Sequence, residues 1–130
     1  MRNKKILLVD DDEDFAEAAR LILESRSYKV LVASNGKEGL AKCKSEHPDL
    51  IILDVMMPEV DGYEVCTKLK TDSAYSRIPI LLLTAVGEAI ATTKYTKEMG
   101  MKIEADDYIP KPIELADLVA RVEKIFSLSR

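Results

Sequence analysis

The sequence is poor in the residues that mark a disulfide-stapled or metal-knuckled protein. Two cysteines in 130 residues, Cys43 and Cys66, give neither a disulfide framework nor a spaced metal set, and both sit where an apolar helix face would bury them. The one histidine, His47, precedes Pro48 in a stretch that reads as a surface loop. Apolar runs such as Ile6-Leu7-Leu8-Val9 and Leu50-Ile51-Ile52-Leu53 are far short of the ~18 residues a membrane span needs. The basic opening Met1-Arg2-Asn3-Lys4-Lys5 leads into an apolar stretch that stops at Asp10, too short for a secretory signal. There is no dense Lys/Arg run, and 19 basic residues against 23 acidic ones leave a net charge of −4, so direct nucleic-acid binding is not expected. Linkers, repeats and low-complexity segments are absent too. What is left, residues 1–130, reads as a single soluble, cytoplasmic domain, long enough to bury its own core.

Short apolar runs alternate with helix-period stretches, the pattern of βαβ units and a parallel sheet. Strands are predicted at Lys5–Val9, Lys29–Ala33, Leu50–Leu53, Ile78–Leu83 and Asp107–Pro110. Helices are predicted at roughly Asp14–Glu24, Gly36–Ser45, Gly62–Lys70, Glu88–Met99 and Pro112–Ser127. Phe15, Ala18, Ala19 and Ile22 form one buried stripe, and Leu115, Leu118, Val119 and Val122 repeat its spacing. Asn35 with Glu38 reads as a capping box, and Pro112 suits a first helical position. The first, third and fourth strands are apolar on both faces, as interior strands must be. The second alternates more, and the fifth ends in Pro110, which favours an edge. Right-handed crossovers then give an α/β doubly wound, five-stranded parallel sheet of order 2-1-3-4-5 flanked by five helices.

That order reverses between the first and third strands, so a ligand crevice is expected at their carboxyl ends. The first strand ends in Asp10-Asp11-Asp12, the third in Asp54, the fourth in Thr84 and the fifth in Lys111. Any one of these Asp or Thr residues reads equally as a helix cap, and Asp12 is the best candidate for that role. Together they are harder to explain by capping. Several carboxylates in one crevice repel each other, and a hard divalent cation removes that cost. Mg2+ takes carboxylates, waters and phosphate oxygens, with Asp11 and Asp54 as direct ligands and Asp10 orienting a bound water. A phosphate subsite then lies between the Thr84 hydroxyl and the Lys111 ammonium. Asp54, the most central carboxylate, is the candidate nucleophile.

These residues closely resemble the receiver domain of two-component response regulators, the CheY-like superfamily. The resemblance is carried by Ile6 to Asp12, Pro48 to Pro58, Asp61-Gly62, Pro79 to Ala85 and Tyr108 to Pro112, and it spans essentially the whole chain. It implies Asp54 as phosphoacceptor, Asp10 and Asp11 as the acidic pair for Mg2+, and the Met56 carbonyl as a further ligand. Thr84 and Lys111 would contact the phosphoryl group, Thr84 and Tyr108 would form the switch, and the Lys111–Pro112 peptide would be cis. The implied phosphoryl donor is a histidine kinase or a histidine phosphotransfer protein. Output would run through the face of the fourth helix and fifth strand, to a downstream protein or to a second copy in a phosphorylation-linked homodimer. The three threonines of Ala89 to Thr96 lower helix propensity there, so the fourth helix is expected to be among the least stable elements. The Thr84–Lys111 span is several residues longer than the resemblance leads one to expect, with Met101 to Glu104 read as an inserted loop that reshapes partner selection.

Other readings fit less well. Asp10, Asp12 and Asp14 open like an EF-hand loop, but Phe15 and Leu21 stand where that loop needs Gly and Glu. Asp10, Asp12, Thr84 and Lys111 also match a haloacid-dehalogenase-type phosphatase with Asp10 as nucleophile, a reading that leaves Asp54 idle and lacks a cap domain. A non-phosphorylated interaction module would be expected to lose one of the acidic or Lys positions, and all are present. The chain ends suit a stand-alone protein and a receiver cut from a longer regulator equally.

By the same resemblance to receiver domains, Met56 and Val86, two positions beyond Asp54 and Thr84, stand where family members tune access of hydrolytic water, and both are apolar and cannot orient an attacking water. Self-dephosphorylation is therefore expected to be slow. Replacing both residues with polar ones should shorten the lifetime of the phosphorylated form by roughly tenfold, measured by the decay of the adduct after donor removal. An unchanged lifetime refutes this.

Overall fold

The computed structural model describes residues 4–54, 68–85, 107–111 and 113–128. Strands β1 (Lys5–Val9), β2 (Lys29–Ala33), β3 (Leu50–Asp54), β4 (Ile80–Ala85) and β5 (Asp107–Lys111) form one parallel five-stranded sheet of order β2-β1-β3-β4-β5. This is the doubly wound order expected from strand composition. Helices α1 (Glu13–Glu24) and α2 (Gly36–Glu46) follow β1 and β2, and a helix over Leu115–Leu128 follows β5. Of the predicted helix at 62–70, residues 68–70 are described and helical, with the turn running on to 71. The predicted helix at 88–99, the loop at 101–104 and Cys66 lie outside the described residues.

Side chains alternate across a strand, so the apolar runs of β1, β3 and β4 feed two separate cores. Ile6, Leu8, Leu50, Ile52, Leu81 and Leu83 face α1 and the Leu115–Leu128 helix. Leu7, Val9, Ile51, Leu53, Ile80 and Leu82 face the other way, against Cys43 of α2 and Leu69. Burial pushes the Cys43 thiol up to about 11, with Asp72 adding to the shift. This thiol is a packing group, not a nucleophile. His47 is exposed, as expected, and closes α2 in the left-handed region at φ 49°.

Several boundaries differ from the sequence reading. β4 begins at Ile80 rather than Ile78, because residues 72–78 close into a turn. There the Ile78 N–H donates to the Tyr75 carbonyl at 3.1 Å, and the Lys70 ammonium holds the Ser76 and Ile78 carbonyls at 3.2 and 2.9 Å. β3 and β5 each run one residue further than predicted, to Asp54 and Lys111. The last helix starts at Leu115, not Pro112, and its first turn hangs from the Glu114 carbonyl. In α1 the fully buried line is Ala16, Ala19 and Leu23, with Phe15, Ala18 and Ile22 only half-buried beside it.

Asn35 caps α2 by accepting the Glu38 N–H at 2.8 Å, as predicted. Glu38, however, reaches past Asn35 to the Ser34 N–H at 2.6 Å. That N–H holds the Glu38 carboxyl below the usual carboxylate range, helped by the Ser34 hydroxyl and Lys42 against a smaller effect of burial.

Gly39 sets how closely α2 lies on β1. A Cβ there would stand 2.8 Å from Val9 Cγ2 and 3.1 Å from Val9 Cγ1, tighter than van der Waals contact permits. Overpacking costs about 1–3 kcal/mol and the helix-propensity gain of alanine about 1 kcal/mol. Gly39→Ala should therefore lower stability by about 1 kcal/mol in urea titration. In a Val9→Ala background, where the clash is gone, the same change should raise stability. The same sign in both backgrounds would refute the close-approach account.

Candidate functional site

β1 and β3 are neighbours with Val9 in register with Leu53, so the residues that follow, Asp10 and Asp54, emerge side by side. Asp10 continues the β1–β2 ladder: its N–H donates to the Ala33 carbonyl at 3.0 Å. Its carboxylate accepts the Asp12 N–H at 2.9 Å on Oδ1. Asp10 is 1% exposed and Asp54 4%, whereas Asp11 is exposed. One carboxylate oxygen from each of Asp10, Asp11 and Asp54 lies within 4.8 Å of the other two. Unit charges about 4 Å apart interact by about 4 kcal/mol at the effective dielectric typical near a protein surface. Three carboxylates this close, two of them buried, form an all-oxygen donor set suited to a hard divalent cation.

Asp12 stands apart from this cluster. It caps α1, its Oδ1 accepting the Phe15 N–H at 3.1 Å, as the sequence allowed. The sequence reading missed its second role, a backbone N–H that fixes one oxygen of Asp10. No residue type marks that contact, because a main-chain donor is the same at every position but proline.

The backbone places the other predicted residues along the same edge. Thr84 is in register with Pro110 and Ala85 with Lys111, so Thr84 and Lys111 stand at the carboxyl ends of β4 and β5. Tyr108 is in register with Leu82, lower in the sheet. Met56, Val86 and the Lys111–Pro112 peptide lie outside the described residues. Asp10 also forms one end of an open groove of about 490 Å³ that runs beside β2, lined by Glu13, Glu17, Arg20, Val30 and Val32 among others. Arg20 in its wall is bridged to Glu17 at 2.6 Å and Glu24 at 2.8 Å.

The parallel five-stranded sheet defines a doubly wound α/β domain, and the acids stand at its switch point, where such sheets bind ligands. The response regulator receiver domain family matches residues 6–123, and the chain belongs to it. The alkaline phosphatase synthesis transcriptional regulatory protein PhoP of Bacillus subtilis (strain 168) is 43% identical over 127 residues, covering 98% of this chain and 50% of that protein. Among solved structures, chemotaxis response regulator CheY4 of Vibrio cholerae superposes with a TM-score of 0.84 at 30% identity, covering 95% of this chain and 99% of the other. The signal receiver domain of a signal transduction histidine kinase from Syntrophus aciditrophicus gives 0.84 at 35% identity, covering 95% and 90%. The chain spans about half the length of the curated relatives it matches. It is thus a receiver domain of the response-regulator type. Among the described residues, no helix is long and apolar enough to cross a membrane.

A cation that binds only the folded carboxylate cluster stabilises the protein by mass action. Millimolar divalent cation added to chelator-treated wild type should therefore raise the thermal midpoint by about 3–8 °C. Asp54→Asn should abolish that rise. Equal cation-induced shifts in the two proteins would refute a shared site.

Proposed function

We propose that residues 1–130 form a single receiver unit that accepts a phosphoryl group on Asp54 from the phosphohistidine of a histidine kinase or histidine phosphotransfer protein. One Asp54 carboxylate oxygen attacks phosphorus. The phosphorus–nitrogen bond breaks, the imidazole leaves with its electron pair and takes up a proton, and an acyl phosphate remains on Asp54. Asp10, Asp11 and Asp54, with the Met56 carbonyl, would hold Mg2+, and the cation would supply positive charge to offset that of the phosphoryl group. The observation that supports this reading most directly is the convergence of the three carboxylates at the end of β1 and β3. The Asp12 N–H keeps Asp10 oriented, and Lys111 and the Thr84 hydroxyl stabilise the charge spread over the transferring group.

The acyl phosphate adds ~1.5–2 negative charges to the crevice. Thr84 is drawn toward them and Tyr108 turns into the space vacated, shifting population toward a state with a different face at the fourth helix and β5. A downstream protein, or a second copy of the phosphorylated domain, binds that face. The domain works in the cytoplasm, and its only chemistry is gain and loss of its own phosphoryl group.

The phosphatase alternative makes Asp10 the nucleophile and needs Asp12 as its acid–base partner. Asp12 instead caps α1 and lies outside the carboxylate cluster. Incubation with acetyl phosphate and Mg2+ should add one phosphoryl mass per chain, and borohydride reduction should convert residue 54 to homoserine. Asp54→Ala should lose the adduct. An adduct on Asp10, or one undiminished in Asp54→Ala, overturns the proposal.

A further inference from the structure

Among the described residues β2 is an edge strand, paired with β1 on one side. The Lys29 N–H donates to the Lys4 carbonyl at 2.8 Å, and the Ala33 carbonyl accepts from Asp10 at 3.0 Å. Lys29, Leu31 and Ala33 therefore turn their backbone groups toward β1. By alternation, Val30 and Val32 turn theirs outward, beside the open groove that both residues line. The edge is not left bare. The Lys42 ammonium, reaching across from α2, donates to the Val32 carbonyl at 2.5 Å. One turn earlier, Glu38 takes the outward Ser34 N–H at 2.6 Å. Lys42 and Glu38 are themselves an ion pair at 3.8 Å.

Outward groups on Val30 and Val32 are self-complementary. In an antiparallel pairing of two β2 edges centred on Leu31, each Val30 exchanges both backbone bonds with Val32 of a second copy, giving a closed two-fold contact. The same register sets the exposed Lys29 of one copy at the Ser34–Glu38 end of the other, so the ends match in charge. Such pairing requires the Val32 carbonyl, the acceptor that Lys42 occupies. A lysine on a strand edge is a recognised means of blocking edge-to-edge association, and here it does so by direct occupation.

We propose that Lys42 is a latch that keeps the β2 edge from pairing with a second copy of this chain, and that removing its ammonium opens a β2–β2 dimer interface. The proposal is independent of the phosphoryl chemistry, since neither Lys42 nor Val32 belongs to the carboxylate cluster.

Sedimentation velocity of the unphosphorylated chain over a concentration series tests it. Lys42→Met keeps the aliphatic stem and removes the donor, and Lys42→Gln serves as a second variant should the first misfold by circular dichroism. Either folded variant should show a concentration-dependent species of roughly twice the monomer mass that the wild type lacks at the same concentrations. Adding Val32→Pro removes an outward N–H without touching the β1 ladder and should return the variant to wild-type behaviour. A folded Lys42 variant that sediments as the wild type does overturns the latch. Association that survives Val32→Pro overturns the β2 edge as the interface.

Discussion

Side-by-side, parallel placement of β1 and β3 is the constraint on which the rest depends. It puts two buried carboxylates next to each other where chain connectivity alone would keep them apart. The like charges of Asp10 and Asp54 repel each other at this range. They are held by the strands beneath them, whose Ile6, Leu7, Leu8, Leu50, Ile51, Ile52 and Leu53 are essentially inaccessible to solvent. Each such side chain contributes about 1.5–3 kcal/mol on burial, so the apolar sheet comfortably outweighs a repulsion of a few kcal/mol.

Helix α2 contributes more than its own packing. Its Asn35 and Glu38 organise the exit from β2, Gly39 lets it lie against Val9 one residue before Asp10, and its Lys42 reaches round to the sheet edge. Its C-terminal His47 stacks on Tyr75 with centroids 6.1 Å apart, tying the helix to the turn before β4. α1 is simpler. It buries Ala16, Ala19 and Leu23 and presents charge elsewhere, with Leu21 left 56% exposed.

Strand order and the gathering of Asp10, Asp11 and Asp54 at one sheet edge were legible in the sequence because both follow from crude, strong signals: runs of apolar residues, and acids placed where those runs stop. Phase and boundaries were less so. Three alanines at 16, 18 and 19 make two neighbouring faces of α1 almost equally apolar, and only the close fit against the sheet selects Ala16 over Ala18. Ile78 looks like the start of a strand by composition, yet the Asp72–Ile78 turn claims its N–H, and Pro79 beyond it cannot donate to a ladder. The Glu38 bond to Ser34 rather than Asn35 depends on the extended backbone at Asn35 (φ −156°, ψ 170°), which spacing does not encode. The Asp12 N–H that holds Asp10 and the Val32 carbonyl that Lys42 reaches are main-chain groups, which side-chain type does not mark.

The capping bond and the Asp10 bond of Asp12 divide between its side chain and its backbone N–H. Capping needs a short oxygen-bearing side chain, whereas steering Asp10 needs only an amide hydrogen. Sequence drift at position 12 to Ser, Thr or Asn therefore leaves the acidic centre undisturbed, and even a poor cap would trade helix stability alone. Proline is the sole amino acid that would sever the link to Asp10, so as far as that link is concerned position 12 accepts any residue but one.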